Sequence, residues 1–91
     1  MTTGLNYYKK ETEKVCKSKG WDRAGVDTVW LLLTEEFGEL ASAIRQHKNT
    51  FKEMGDVFSY LFQLAHMLNV DLDKMWEEHR YKMNTKKYNL K

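Results

Sequence analysis

A chain of 91 residues is expected to form one domain, residues 1–91, with only a thin core of its own. A net charge of +2 argues against a general nucleic-acid binder, and a single cysteine, Cys16, excludes an internal disulfide and suits a reducing, cytoplasmic setting. The longest unbroken apolar run is the five residues Val29 to Leu33, so neither a signal peptide nor a membrane span is expected.

Taken in chain order, residues 5–19 place Leu5, Tyr8, Thr12, Val15 and Cys16 at helical spacing and predict a first amphipathic helix. Gly20 is placed to cap its C-terminus, and residues 21–25 read as a connecting loop. Trp21 in that loop is either packing over a thin core or a platform on which a base stacks. Asp27 is placed to cap a second helix running to about His47, and Thr50 opens a third running to about Asn69. Both carry more apolar residues than one stripe can hold: Trp30, Leu31, Phe37 and Ile44 on the second, Phe51, Met54, Phe58 and Leu61 on the third. So short a chain cannot cover two such helices alone, which predicts a homo-oligomer with a dimer as the minimum. Asp71 opens a fourth helix to about Lys87, with Met75, Trp76, His79 and Met83 as an apolar strip and a basic far end. The expectation is an all-α bundle of four helices.

The chemistry concentrates where the helices are most apolar. Glu36 and Glu39 stand three residues apart on the second helix, and Glu53 and Asp56 repeat that spacing on the third. Positions i and i+3 share a helix face, so two antiparallel helices would gather four carboxylates. About two such pairs are expected by chance in a chain with this many acids, so the surroundings must decide. Glu35, Glu36 and Glu39 have no lysine or arginine one turn away, whereas Glu77, Glu78 and Asp71 do. Uncompensated carboxylates on a largely apolar helix call for a cation. Two other readings stand beside this one: a solvated acidic stripe, and a capping box from Thr50 to Glu53 in which Glu53 starts the helix. Gly38 and Gly55 inside the two motifs cost helix propensity and allow a close approach by a helix or ligand.

A site of carboxylates alone suits a hard cation, Mg²⁺ or its substitute Mn²⁺. No Glu-x-x-His pair for a di-iron bundle exists, nor a zinc His-Glu-x-x-His, so His47, His66 and His79 are read as packing or surface residues. No Gly-rich phosphate loop with its lysine is present, and no Ser/His/Asp set has recognisable context. Charge is nonetheless arranged for a polyanion: six Lys/Arg lie in residues 1–23, six in 74–91 and three between them. Carboxylate-held Mg²⁺ without a phosphate loop completes its shell with substrate phosphates and water, which points to phosphoanhydride hydrolysis.

Glu36-x-x-Glu39 followed after thirteen residues by Glu53-x-x-Asp56 resembles the signature of the MazG-like all-α nucleoside triphosphate pyrophosphatases. The likeness extends through residues 32–41, through residues 53–61 and to Asn84-Thr85-Lys86-Lys87-Tyr88, covering roughly residues 5–88. It implies a four-helix bundle assembled as a homodimer or a dimer of dimers, that is, a homotetramer. It implies hydrolysis of an NTP or dNTP to the monophosphate and pyrophosphate by water attack at a metal-bound phosphate. Carried onto this chain, Glu36, Glu39, Glu53 and Asp56 would ligate Mg²⁺, with Glu35 or Glu39 assisting the attacking water. Trp21 would meet the base, and Tyr60, Arg80, Asn84, Lys87 and Tyr88 would meet phosphate or sugar. Asn89 replaces the proline that often follows the terminal tyrosine, and Arg80 a lysine sometimes found there. Competing expectations are a non-catalytic helical module of the same fold and a narrower hydrolase for dUTP, dCTP or phosphoribosyl-ATP. No partner beyond substrate and self is expected, neither nucleic acid nor membrane.

Overall fold

Helix follows helix because the chain contains no proline and confines its few glycines largely to element ends. A computed structural model describes residues 4–85 as four α-helices: α1 (Leu5–Lys19), α2 (Val26–Gln46), α3 (Thr50–Met67) and α4 (Leu72–Thr85). Among the described residues there are no strands. The all-α reading and the order of elements agree with the sequence pattern, and the boundaries move by one or two residues. A single 3₁₀ turn, Trp21–Arg23, occupies the expected loop.

The centre of the fold is the antiparallel α2–α3 hairpin. Val29 and Leu33 from α2 meet Val57 and Leu64 from α3 in a small dry cluster, edged by Ala24, Leu40, Tyr60 and Met67. Every member recurs at helical spacing, so one face of each helix is buried and the acids ride beside that seam. The hairpin turn His47-Lys48-Asn49 holds two non-glycine residues in the left-handed region, His47 at φ 56° and Asn49 at φ 65°. His47 ends α2, its amide donating to the Ile44 carbonyl over 3.3 Å.

α1 lies along α3 and stops at Gly20, whose φ of 74° is the left-handed cap that glycine adopts without a Cβ clash. Glu13 on α1 reaches His66 Nδ1 at 3.5 Å on α3 and Lys17 Nζ at 3.0 Å on its own helix. The hydrogen bond from Lys17 holds the Glu13 carboxyl below the usual carboxylate range, and His66 helps.

α4 and α1 cap one another. Asp73 on α4 accepts the Leu5 amide at 2.8 Å and the Asn6 amide at 3.3 Å, satisfying two orphan donors at the start of α1. In return the Leu72 amide donates to Asn6 Oδ1 at 2.8 Å, and Asn6 Nδ2 donates to Asp71 Oδ1 at 2.8 Å. Asp71 Oδ1 also accepts the Lys74 amide at 3.0 Å, the third position of α4 and the bond expected of an N-cap. Asp73 sits so close that a Cβ on Gly4 would lie 2.8 Å from its oxygen.

Two capping expectations give way. Gly25, not Asp27, is the N-cap of α2, with Asp27 in the first turn, where its charge still complements the helix dipole. Asn49, not Thr50, is the N-cap of α3, and no side-chain cap bond forms there. Glu53 therefore falls one position beyond a capping box, and its carboxylate is not committed to starting the helix.

Candidate functional site

Glu36 projects from the middle of α2, while Glu53 and Asp56 project from the first two turns of α3. Because the hairpin is antiparallel, these positions face each other across the seam. One oxygen from each of the three carboxylates lies within 4.8 Å of the others, and all three residues are half-buried. Loss of water pushes the Glu36 carboxyl up, and the charges of Asp56, Glu39 and Glu53 push it further. Three oxygens at this separation, with no imidazole or thiolate among them, fit a hard divalent cation.

Glu39, one turn along α2, is exposed and lies outside that convergent group, although its charge is felt at Glu36. Glu35 is exposed as well, and its charge reaches Tyr60. The acids are less isolated than their own helix suggests. Lys52 Nζ lies 3.2 Å from Asp56 Oδ2 and 3.7 Å from Glu53 Oε2. The Lys52–Asp56 pair is an i,i+4 pair, readable in the sequence, and gives the acids of α3 the basic neighbour that those of α2 lack.

A groove of about 990 Å³ is lined by Glu36, Gly55 and Asp56 from the hairpin and by Gly20 and Trp21 at the 3₁₀ turn. Its walls are aromatic: Tyr8 from α1 and Phe58, Tyr60 and Phe62 from α3 line it. Tyr8 and Phe62 have ring centroids 6.4 Å apart, and Phe58 and Phe62 6.2 Å. Trp21 is half-exposed, with Lys19 Nζ 5.5 Å from its ring centroid. Gln63 is buried on the groove wall and donates from Nε2 to the Trp21 carbonyl at 3.5 Å, tying the turn to α3. The wall that α1 supplies had no local signal, since Tyr8, Glu11 and Thr12 meet α3 only through tertiary packing.

Tyr60 stands one turn beyond Asp56. Burial raises the pKa of its hydroxyl, and Glu36, Asp56 and Glu35 raise it further, so it remains a proton donor facing an acidic site. Arg80 and Asn84 are exposed on α4 and do not line the groove, and Arg80 pairs with Glu77 on its own helix. Lys87 and Tyr88 lie outside the described residues. Gly38 and Gly55 have open space where a Cβ would point, so the close approach expected of them is not made within one chain.

The arrangement can hold a cation at the carboxylates and a flat, stackable group against the aromatic wall of the groove. Among the described residues, no helix is long and apolar enough to cross a membrane. No curated protein and no solved structure gave a significant match to the chain. The family model of the MazG nucleotide pyrophosphohydrolase domain matches residues 25–90, from the N-cap of α2 and across the described extent of α4. Both acid motifs and the hairpin that joins them fall inside that span, and the chain belongs to the MazG nucleotide pyrophosphohydrolase family.

Proposed function

We propose that the protein is a Mg²⁺-dependent nucleotide pyrophosphohydrolase, converting an NTP or dNTP to the monophosphate and pyrophosphate. The observation that carries this reading is the convergence of Glu36, Glu53 and Asp56 beside a groove that Glu36, Asp56 and Trp21 line. Glu36, Glu53 and Asp56 would hold the ion, with Glu39 completing the set from the next turn. A divalent cation there offsets phosphate charge and makes a bound water more acidic.

The chain's own groups supply the rest. Trp21 and the aromatic wall offer a stacking surface for a base, which every nucleobase can use through its π face. Tyr60, kept protonated, donates to a phosphate or sugar oxygen. Glu35 and Glu39 flank Glu36 with exposed carboxylates, and either can accept a proton from the attacking water.

A second copy of the chain belongs to this reading. The radius of gyration is 15.0 Å, against about 12 Å expected for a self-contained globule of this length. Phe51 is 96% exposed, and Met54, Phe58 and Leu61 continue its stripe along α3 at helical spacing. Trp30, Phe37 and Ile44 form a matching stripe on α2, every seven residues. Two hairpins with such stripes can close a four-helix bundle between them. Arg80 and Asn84 do not reach the groove of their own chain, so their role in phosphate binding depends on that assembly.

The test is to incubate each nucleotide with the purified chain and Mg²⁺ and to measure pyrophosphate and orthophosphate separately. Pyrophosphate release from at least one nucleotide is expected. Absence of turnover would favour a non-catalytic module, and orthophosphate alone would mean that a different bond is cut.

A further inference from the structure

Lys52 is the one cation that pairs with any of the three convergent carboxylates among the described residues. Its ammonium sits 3.2 Å from Asp56 and 3.7 Å from Glu53, on two of the three groups that gather within 4.8 Å of one another. Helix geometry brings it there, since residue 56 lies one turn beyond residue 52 on the same face. The side chain is otherwise unburdened: it is 71% exposed and carries its charge on a flexible four-carbon stem. An ammonium and a divalent cation held on the same two carboxylates repel each other, so occupation by one disfavours the other. One ammonium against three carboxylates leaves the cluster at a net charge of −2, and a divalent cation in place of the ammonium lowers that to −1.

We propose that Lys52 is a built-in, displaceable counter-ion of the acidic cluster. It holds Glu53 and Asp56 side by side in the metal-free protein and swings into solvent when a divalent cation takes their oxygens. The exchange weakens the site for free metal ions, because each binding event must first break the lysine pairs. This inference rests on reading the cluster as a metal site, and it adds a determinant of metal affinity that the acid motifs do not contain.

Titration of the full chain with Mn²⁺ alone, without nucleotide, reads the effect by calorimetry or by the electron paramagnetic resonance signal of free Mn²⁺. Lys52→Met is expected to bind Mn²⁺ about 1.5- to fivefold more tightly than the wild type, the range that exposed ion pairs support. Lys52→Arg should match the wild type, because the positive charge remains. Lys74→Met, an equal loss of charge on α4, should leave affinity unchanged. Lys52 is exposed, so the variant keeps its helicity, which circular dichroism verifies. Equal affinity in Lys52→Met and the wild type overturns the counter-ion, as does equal tightening by Lys74→Met, and both leave the metal site standing. Failure of the wild type itself to bind Mn²⁺ removes the metal site, and the inference with it.

Discussion

Glu36 shows most sharply how one residue is asked to do two things. It is half-buried beside like charges, so its carboxyl is pushed upward, chiefly by loss of water and then by Asp56. A raised carboxyl opposes folding once pH climbs above its ordinary value of 4.5, and the opposition is absent below that value. Glu36→Gln should therefore retain helicity and stability at neutral pH while Mn²⁺ affinity falls by about 10- to 100-fold or more, a loss like those seen when a metal site is disturbed. Glu39→Gln should also abolish pyrophosphate release, with a smaller loss of Mn²⁺ affinity, because its carboxylate stands outside the convergent three. Calorimetry beside the pyrophosphate assay separates the two variants. An unchanged affinity in Glu36→Gln would remove it from the ligand set. These acids were legible in the sequence because the i,i+3 spacing and the absence of nearby basic residues on α2 are local facts. The partial compensation by Lys52 was equally local.

At the scale of elements, the termini of the helices hold what the sequence pattern disguised. α1 begins at Gly4 with no side-chain cap of its own and depends on Asp73, sixty-eight residues away, for the Leu5 amide. Asp73→Ala should destabilise the fold by about 1–2 kcal/mol, as for other lost caps, measured by urea denaturation. A smaller loss than that of an exposed control such as Asp22→Ala would mean that the clasp contributes nothing. Asp71 works at the other end of the clasp. Its hydrogen bond from Asn6 holds its carboxyl below the ordinary value of 3.8, followed by that from the Lys74 amide. A lowered carboxylate stabilises above the unfolded value and loses that contribution as pH falls through the folded one. The stability gap between wild type and Asp71→Ala should thus be full at neutral pH and close below about pH 3.8, read from thermal melts across that range. His47 carries strain of another kind, a non-glycine residue at φ 56°. His47→Gly should raise stability by about 1 kcal/mol, because glycine adopts the left-handed region freely. No gain in melting temperature would show that the turn tolerates His47 without cost.

The whole molecule is defined as much by what it leaves open as by what it buries. Val29, Leu33, Val57 and Leu64 are the heart of the core, while Trp30, Leu31 and Phe51 stay on the surface. The accessible surface of 7450 Å² exceeds the roughly 5,600 Å² typical of a monomer of this mass. Large exposed apolar faces commonly serve as interaction surfaces, and a second copy is the occupant we propose. The wild type is accordingly expected to sediment at twice the chain mass of 10.9 kDa or at a higher multiple, and Phe51→Glu with Leu61→Glu to sediment as the monomer. A wild type that sediments as a monomer at micromolar concentration would end the case for a second copy.

What the sequence by itself determined is periodic: helix count, helix order, the C-cap at Gly20 and the acids on facing turns. Each of these depends on residues within a turn or two of one another, where spacing translates directly into a shared face. The tertiary structure decided the rest. It set Glu36, Glu53 and Asp56 together and left Glu39 aside, because the register of one helix against another depends on how Val29, Leu33, Val57 and Leu64 interlock. It also brought Tyr8 and Trp21 to a groove that Glu36 and Asp56 line, and Asp73 to the start of α1. Those meetings join positions far apart in the chain, and only the packing of α1 against α3 and α4 brings them within reach.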